Sequence, residues 1–326
     1  MVRVAVAVIT IFVLSAYAQT DSQEPYQVPN AVPRVALVVG AENYENYDHV
    51  PNARNDALEA EKTLTNIGFK VNFLPDPKDD NSIIDHVKDL AGQAGELRSP
   101  VIVVFYFAGH GFQNGAFPSI VPVGARKDHL LDDSVPVSTL VDMLATHTAG
   151  LSLFFLDSCR TGLHGASQAE PQIDSTHFSA MDVHNVAVLD LATELGAPAG
   201  SSMPSNYHSL YTYSLTNNLT KRKSLSEALE DVRSYVGEYS DPKQWSVIVH
   251  NANIYRFYLV PGQERIDAEQ SIWRETLKTN RVECIDRYIH KYPGSAYLGS
   301  ALSWKADRPA SIPSPEGGSQ CPEELE

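Results

Sequence analysis

Two groups capable of covalent chemistry stand at the ends of two apolar runs. Val101-Ile102-Val103-Val104-Phe105-Tyr106-Phe107-Ala108-Gly109 leads into His110-Gly111, and Leu151-Ser152-Leu153-Phe154-Phe155-Leu156 leads into Asp157-Ser158-Cys159, the cysteine lying 49 positions after the histidine. Cysteine attacks as its thiolate, and a neighbouring imidazole can take the thiol proton and return it to a leaving amine. The backbone N–H groups of Gly111 and Cys159 are candidate donors to an oxyanion. This chemistry needs no metal and no organic cofactor, so none is expected. Singly, His110 would read as a hydrogen-bonded structural histidine and Cys159 as an inert buried thiol. Placed just beyond two such runs, they point to nucleophilic catalysis.

For the two groups to meet, the runs must be neighbouring strands. Unbroken stretches rich in Val, Ile and Phe read as strands buried on both faces of a parallel sheet, whose ligands bind outside the strands' carboxyl ends. Further strands are expected at Val35–Gly40, Phe69–Phe73, Ile120–Val123, Val186–Leu191, Trp245–Val249 and Ile254–Val260. Between them, apolar residues recur at helical spacing over 52–67, 83–94, 137–144 and 210–219, and Ser224-Leu225-Ser226-Glu227 has the form of a capping box opening one more helix. The stretches 44–55, 113–119 and 163–184 read as loops. Strands alternating with amphipathic helices imply an α/β fold with a largely parallel sheet and right-handed crossovers over 34–260. Residues 262–304 read as a small helical region and 305–326, rich in Pro, Ser, Gly and Glu, as a disordered tail.

The chain of 326 residues is 43% hydrophobic and carries a net charge of −15, a composition that supports a sizeable core. It has no basic block able to track phosphates, which argues against nucleic acid as a partner. Met1-Val2-Arg3, the apolar Val4–Leu14 and Ala16-Tyr17-Ala18 form a secretory signal pattern over 1–18, followed by a flexible lead-in over 19–33. A secreted or periplasmic protein without a membrane span in its mature form is expected. There are three cysteines, Cys159, Cys284 and Cys321, an odd number. Pairing Cys284 with Cys321 would leave Cys159 as a thiol, but a free or chain-linking tail cysteine is equally compatible. No C-x-x-C occurs, so neither a zinc ribbon nor a thioredoxin-type motif is indicated.

The chain resembles the caspase, metacaspase and paracaspase group of cysteine peptidases, particularly its bacterial, orthocaspase-like members. Carrying the resemblance are Val35–Gly40 with Asn52-Ala53-Arg54-Asn55-Asp56-Ala57, then Tyr106–Gly111, Asp157-Ser158-Cys159 and Ala192-Thr193. The histidine–cysteine spacing also agrees with the roughly 50 residues found in caspases. The resemblance implies a caspase-like three-layer fold, with His110 as general base and Cys159 as nucleophile for peptide-bond hydrolysis. It further implies that Asp56 and Asp157 line the primary specificity pocket. Two partly desolvated carboxylates favour a guanidinium or ammonium, so cleavage of a protein or peptide substrate after Arg, and less readily after Lys, is expected. A catalytically silent binding module, or a legumain- or gingipain-like peptidase of another preference, are the alternatives.

Asp132-Asp133 resembles part of the calcium site of metacaspases. Calcium takes six to eight oxygen ligands, and only these two carboxylates offer themselves, so calcium dependence is not expected and the pair reads as a cap for the helix that follows. The segment 163–186 between the expected halves of the domain contains no Lys or Arg. An enzyme specific for basic residues could not cut itself there. It would work uncleaved or be clipped elsewhere, for example at Lys221-Arg222-Lys223.

Overall fold

The computed structural model describes residues 32–97, 101–114, 117–145, 150–159, 161–162, 186–193, 207–241, 243–251, 254, 257–260, 263–292, 295, 297–306 and 320–325. The expected signal segment, most of the lead-in and the basic-free segment up to residue 185 lie outside them.

In chain order, the elements that build the main domain begin with β1 (Arg34–Gly40), α1 (Ala53–Asn66), β2 (Lys70–Pro75), α2 (Asp80–Glu96) and β3 (Val101–Gly109). The chain then makes β4 (Gly111–Asn114), β5 (Phe117–Ile120), α3 (Leu130–Asp133), β6 (Val135–Pro136) and α4 (Val137–Ala145). The second half holds β7 (Gly150–Ser158), β8 (Thr161–Gly162), β9 (Val186–Leu191), α5 (Leu210–Leu219), α6 (Leu225–Tyr239) and β10 (Val247–His250). Six strands form the central sheet in the order β10-β9-β7-β3-β1-β2, all parallel except the edge strand β10. A small second sheet, β6-β5-β4-β8, stands beside it.

Alternation along the strands sorts side chains into two cores. Val103, Phe105 and Phe107 join Leu37, Val39, Phe154 and Leu156 against α2 and α4. Ile102, Val104 and Tyr106 join Val38, Leu153 and Phe155 against α1, α5 and α6. Helices therefore cover both faces, which is the three-layer arrangement that a near-continuous apolar strand requires. A period of two also places Asp157 on the face of Leu153 and Phe155, towards α1 and α5.

The elements differ from the sequence expectations at four places. The expected loop 113–119 contributes to a hairpin, because β4 and β5 pair antiparallel from Gly111↔Ile120 to Asn114↔Phe117. The expected strand 120–123 ends at Ile120, after which Val121 N–H donates to His110 O and Val123 N–H to Pro77 O. The stretch read as a strand at 254–260 forms none in its described residues. Ile254, Phe257 and Leu259 are buried apolar side chains without a ladder, and their backbone instead caps α6 (Leu225 N–H to Phe257 O, 2.6 Å) and receives Arg34 at Leu259 O. Burial alone therefore mimicked a strand. Asp133 caps no helix: it closes a two-pronged ion pair with Arg126, both bonds 2.9 Å, which holds its carboxyl well below the usual range.

Beyond β10, α7 (Gln263–Thr279), α8 (Val282–Lys291) and α9 (Leu298–Ala306) build a separate small core around Trp273, Ile285, Tyr288 and Tyr297. Cys284 is bonded to Cys321, and Leu325, in a short 3-10 turn, is buried in the same core. This corrects the reading of 305–326 as disordered for its described end: the disulfide carries residues 320–325 back onto α8. No helix among the described residues is long and apolar enough to cross a membrane.

Candidate active site

The register of the two central strands is what brings thiol and imidazole to one edge. β3 and β7 pair in parallel from Val101↔Gly150 to Gly109↔Ser158, so His110 and Cys159 each follow the last paired position. Both line a cavity of about 350 Å³ at the carboxyl ends of β3 and β7 and the starts of α1 and α5. Its walls also include Asp56, Asp157, Ser209 and Gln244. Cys159 lies outside the disulfide and is partly exposed, as a nucleophile must be.

His110 is held at three points. Its Nε2 lies 2.8 Å from Asp48 O. A carbonyl oxygen can only accept, so Nε2 carries the hydrogen and Nδ1 of the neutral ring keeps a lone pair. Its backbone N–H donates to Tyr44 Oη at 2.8 Å, and Tyr44 in turn donates to Val121 O at 2.9 Å. The Tyr44 ring lies against the imidazole with centroids 4.5 Å apart. The two glycines flanking His110 are dictated by close approach: a Cβ on Gly109 would sit 2.7 Å from Tyr44 Oη, and one on Gly111 would sit 2.8 Å from Ser158 Oγ. Gly111 is thus packed onto the β7 end, with its peptide next to Cys159.

Asp56 and Asp157 are brought to the same cavity by different routes. Asp56 lies in the first turn of α1, only 3% exposed, and caps nothing there; Asn52 occupies the cap position. Asp56 Oδ1 faces His208 Nδ1 at 3.0 Å and accepts the Ser209 N–H at 3.1 Å. Asp157 Oδ2 accepts the hydroxyls of Ser209 and of Thr212, the latter at 2.6 Å. Burial pushes the Asp56 carboxyl up to about 9, the nearby charge of Asp157 adds to the rise, and the Ser209 N–H opposes it. Burial also raises Asp157, against the two hydroxyls. Two such neighbouring buried carboxyls cannot both stay ionised without cost; a guanidinium placed between them would relieve it.

All five residues singled out from the sequence, His110, Gly111, Cys159, Asp56 and Asp157, lie around this one cavity or directly against its wall. Sequence reasoning missed Tyr44, the Asp48 carbonyl, Ser209 and Thr212. Only Ser209 carried a local signal, as a cap-type residue directly before the helical run 210–219. Among the described residues no group of three or more His, Cys, Asp or Glu side chains is placed to hold a metal ion.

The family model described as Caspase domain matches residues 33–258. The human mucosa-associated lymphoid tissue lymphoma translocation protein 1 is 26% identical over 221 residues, covering 67% of this chain and 25% of that protein. Its mouse homolog is 25% identical over 228 residues, covering 69% of this chain and 26% of that protein. The chain therefore spans about a quarter of the length of the curated relatives it matches. The Caspase domain model matches more than half of the chain, and the protein belongs to the caspase-domain family.

Proposed function

We propose that the protein is an exported cysteine endopeptidase that cleaves after basic residues, Arg before Lys, through His110 and Cys159. The observation that carries this reading is the sharing of one cavity by a thiol, an imidazole and two buried carboxylates. In the proposed mechanism the Cys159 thiol gives its proton to Nδ1 of His110 as sulfur bonds to the substrate carbonyl carbon. The N–H groups of Gly111 and Cys159 receive the negative oxygen. The imidazolium, kept in orientation by Asp48 O, then protonates the leaving amine as the C–N bond breaks. Water deprotonated by His110 releases the acyl group from sulfur and restores the thiol. Asp56 and Asp157 hold the side chain preceding the cleaved bond, and a planar guanidinium can meet both carboxylates at once where an ammonium is a point charge.

Export is supported by the signal pattern over 1–18 and by the Cys284–Cys321 disulfide, a bond that persists outside reducing compartments. Calcium is not required in this reading: Asp133, half of the resembling pair, is already neutralised by Arg126. The test uses the purified mature protein with fluorogenic peptides ending in Arg, Lys, Asn or Asp, with calcium or EDTA, beside Cys159→Ala. Turnover of Arg and Lys peptides that survives EDTA and vanishes in the variant is expected. Turnover of Asp but not Arg peptides would overturn the pocket assignment, and a folded protein that cleaves nothing would instead be a binding module.

A further inference from the structure

One residue touches both carboxylates. Ser209, directly before α5, donates its backbone N–H to Asp56, at 3.1 Å to Oδ1 and 3.3 Å to Oδ2, and its hydroxyl to Asp157 Oδ2. The same hydroxyl oxygen accepts the Thr212 N–H at 2.9 Å, which makes Ser209 the N-cap of α5. Capping requires only that acceptance. Spending the hydroxyl hydrogen on Asp157 is a further role, and one that a cap alone does not explain. Thr212 adds its hydroxyl to the same carboxylate oxygen. Since the Thr212 hydrogen is used there, the Tyr106 hydroxyl 2.5 Å from Thr212 Oγ1 must be the donor to it. Donors from β3 and α5 thus all run towards Asp157 Oδ2, and among the described residues none is directed at Asp157 Oδ1.

We propose that Ser209 is the specificity-positioning residue of this cavity, setting Asp56 and Asp157 at the separation at which one cationic side chain can meet both. The inference rests on the reading that the cavity takes basic residues. It also explains why α5 begins where it does: the start of the helix faces both carboxylates, with the Ser209 N–H on Asp56 and the Ser209 and Thr212 hydroxyls on Asp157, favouring their ionised forms when a cation arrives. Around Asp56 of α1 and Asp157 of β7 stand the ionisable His208 from the segment before α5, Tyr211 from α5 and Tyr106 from β3, while His49, His110 and Cys159 line the same cavity. Proton loss from the carboxyl pair should therefore appear in substrate affinity, and removing the Ser209 hydroxyl should delay that loss to higher pH.

The experiment compares the full-length mature protein with Ser209→Gly, Ser209→Ala and Ser209→Thr, using an Arg fluorogenic peptide and inhibition by benzamidine across pH 5 to 9. Loss of a hydrogen bond to a charged group should raise KM and the benzamidine inhibition constant by about 10-fold or more in the Gly and Ala variants, with kcat within about twofold. Their KM–pH profiles should shift to higher pH, and Thr should restore both. Gly is nearly as good an N-cap as Ser, so a helix lost in the Ala variant leaves the Gly variant to decide. A Gly variant with unchanged KM and profile overturns the role of Ser209 alone. Wild-type protein that neither binds benzamidine nor cleaves Arg peptides overturns the basic-residue reading itself, and this inference with it.

Discussion

At the scale of single residues, the cavity is a balance between burial and compensation. Asp56 illustrates it: its carboxyl is raised from 3.8 to about 9, with burial the largest cause and Asp157 the second. A group that binds its proton more tightly folded than unfolded favours the folded state at low pH. Its contribution is fully present below about pH 4 and is lost as pH rises towards 9. Wild-type stability in the absence of a bound cation is therefore expected to decline across that window, by up to about 1.4 kcal/mol per pH unit for each retained proton. Asp56→Asn should flatten the decline. Tm values measured every half pH unit check this, and identical slopes in both proteins would contradict it. His110 shows the opposite economy: among the described residues it is oriented by the Asp48 carbonyl and the Tyr44 hydroxyl, not by a carboxylate.

At the scale of elements, the site depends on how closely α1 lies on β1. Gly40 ends β1, and a Cβ there would approach Ala57 Cβ to 2.7 Å and Ala53 O to 3.1 Å. Asp56 sits between those two contacts on the same helix. Gly40→Ala should thus force α1 outward, destabilising the fold by about 1–3 kcal/mol and raising KM for Arg peptides more than it lowers kcat. Calorimetry and steady-state kinetics on one preparation test both halves, and an unchanged Tm would remove the close-approach argument. The turn joining α5 to α6 belongs to this scale too. Lys223 pairs with Asp231, Lys221 donates to Asn218, and Ser224 with Glu227 forms a reciprocal capping box. That turn is held at both ends, which weighs against Lys221-Arg222-Lys223 as a self-cleavage site.

At the scale of the molecule, two units with separate cores are built by different means. The main domain buries two continuous apolar layers against its sheet. The C-terminal unit has a core of only a few aromatic and aliphatic residues, and a disulfide spanning 37 residues closes it. Cross-linking a loop of that length is worth about 4 kcal/mol through the unfolded chain. Reduction, or Cys284→Ala with Cys321→Ala, should accordingly unfold the C-terminal unit at a much lower temperature while peptide turnover persists. A melt with two transitions, of which only one moves on reduction, is the expected result; loss of turnover together with the C-terminal unit would show that the site depends on it.

Much of this was legible in the chain. Unbroken apolar runs at 101–109 and 151–156 identify buried parallel strands, because such strands face helices on both sides. Once those runs are neighbours, the alternation of side chains determines that Asp157 shares the face of α1, and the ends of the runs place His110 beside Cys159. Residue type and short-range period carry that information. The apolar residues at 254–259 show its limit, since burial without a hydrogen-bonded ladder looks the same in a sequence. Tertiary structure alone decided that Cys284 pairs with Cys321, that the Asp48 carbonyl orients the imidazole, and that Ser209 spans both carboxylates. A backbone carbonyl is present at every position and so leaves no mark in a sequence. Ser209 lies 153 residues from Asp56 and 52 from Asp157, and only the folding of α5 onto the sheet edge gives its hydroxyl and amide their two different partners.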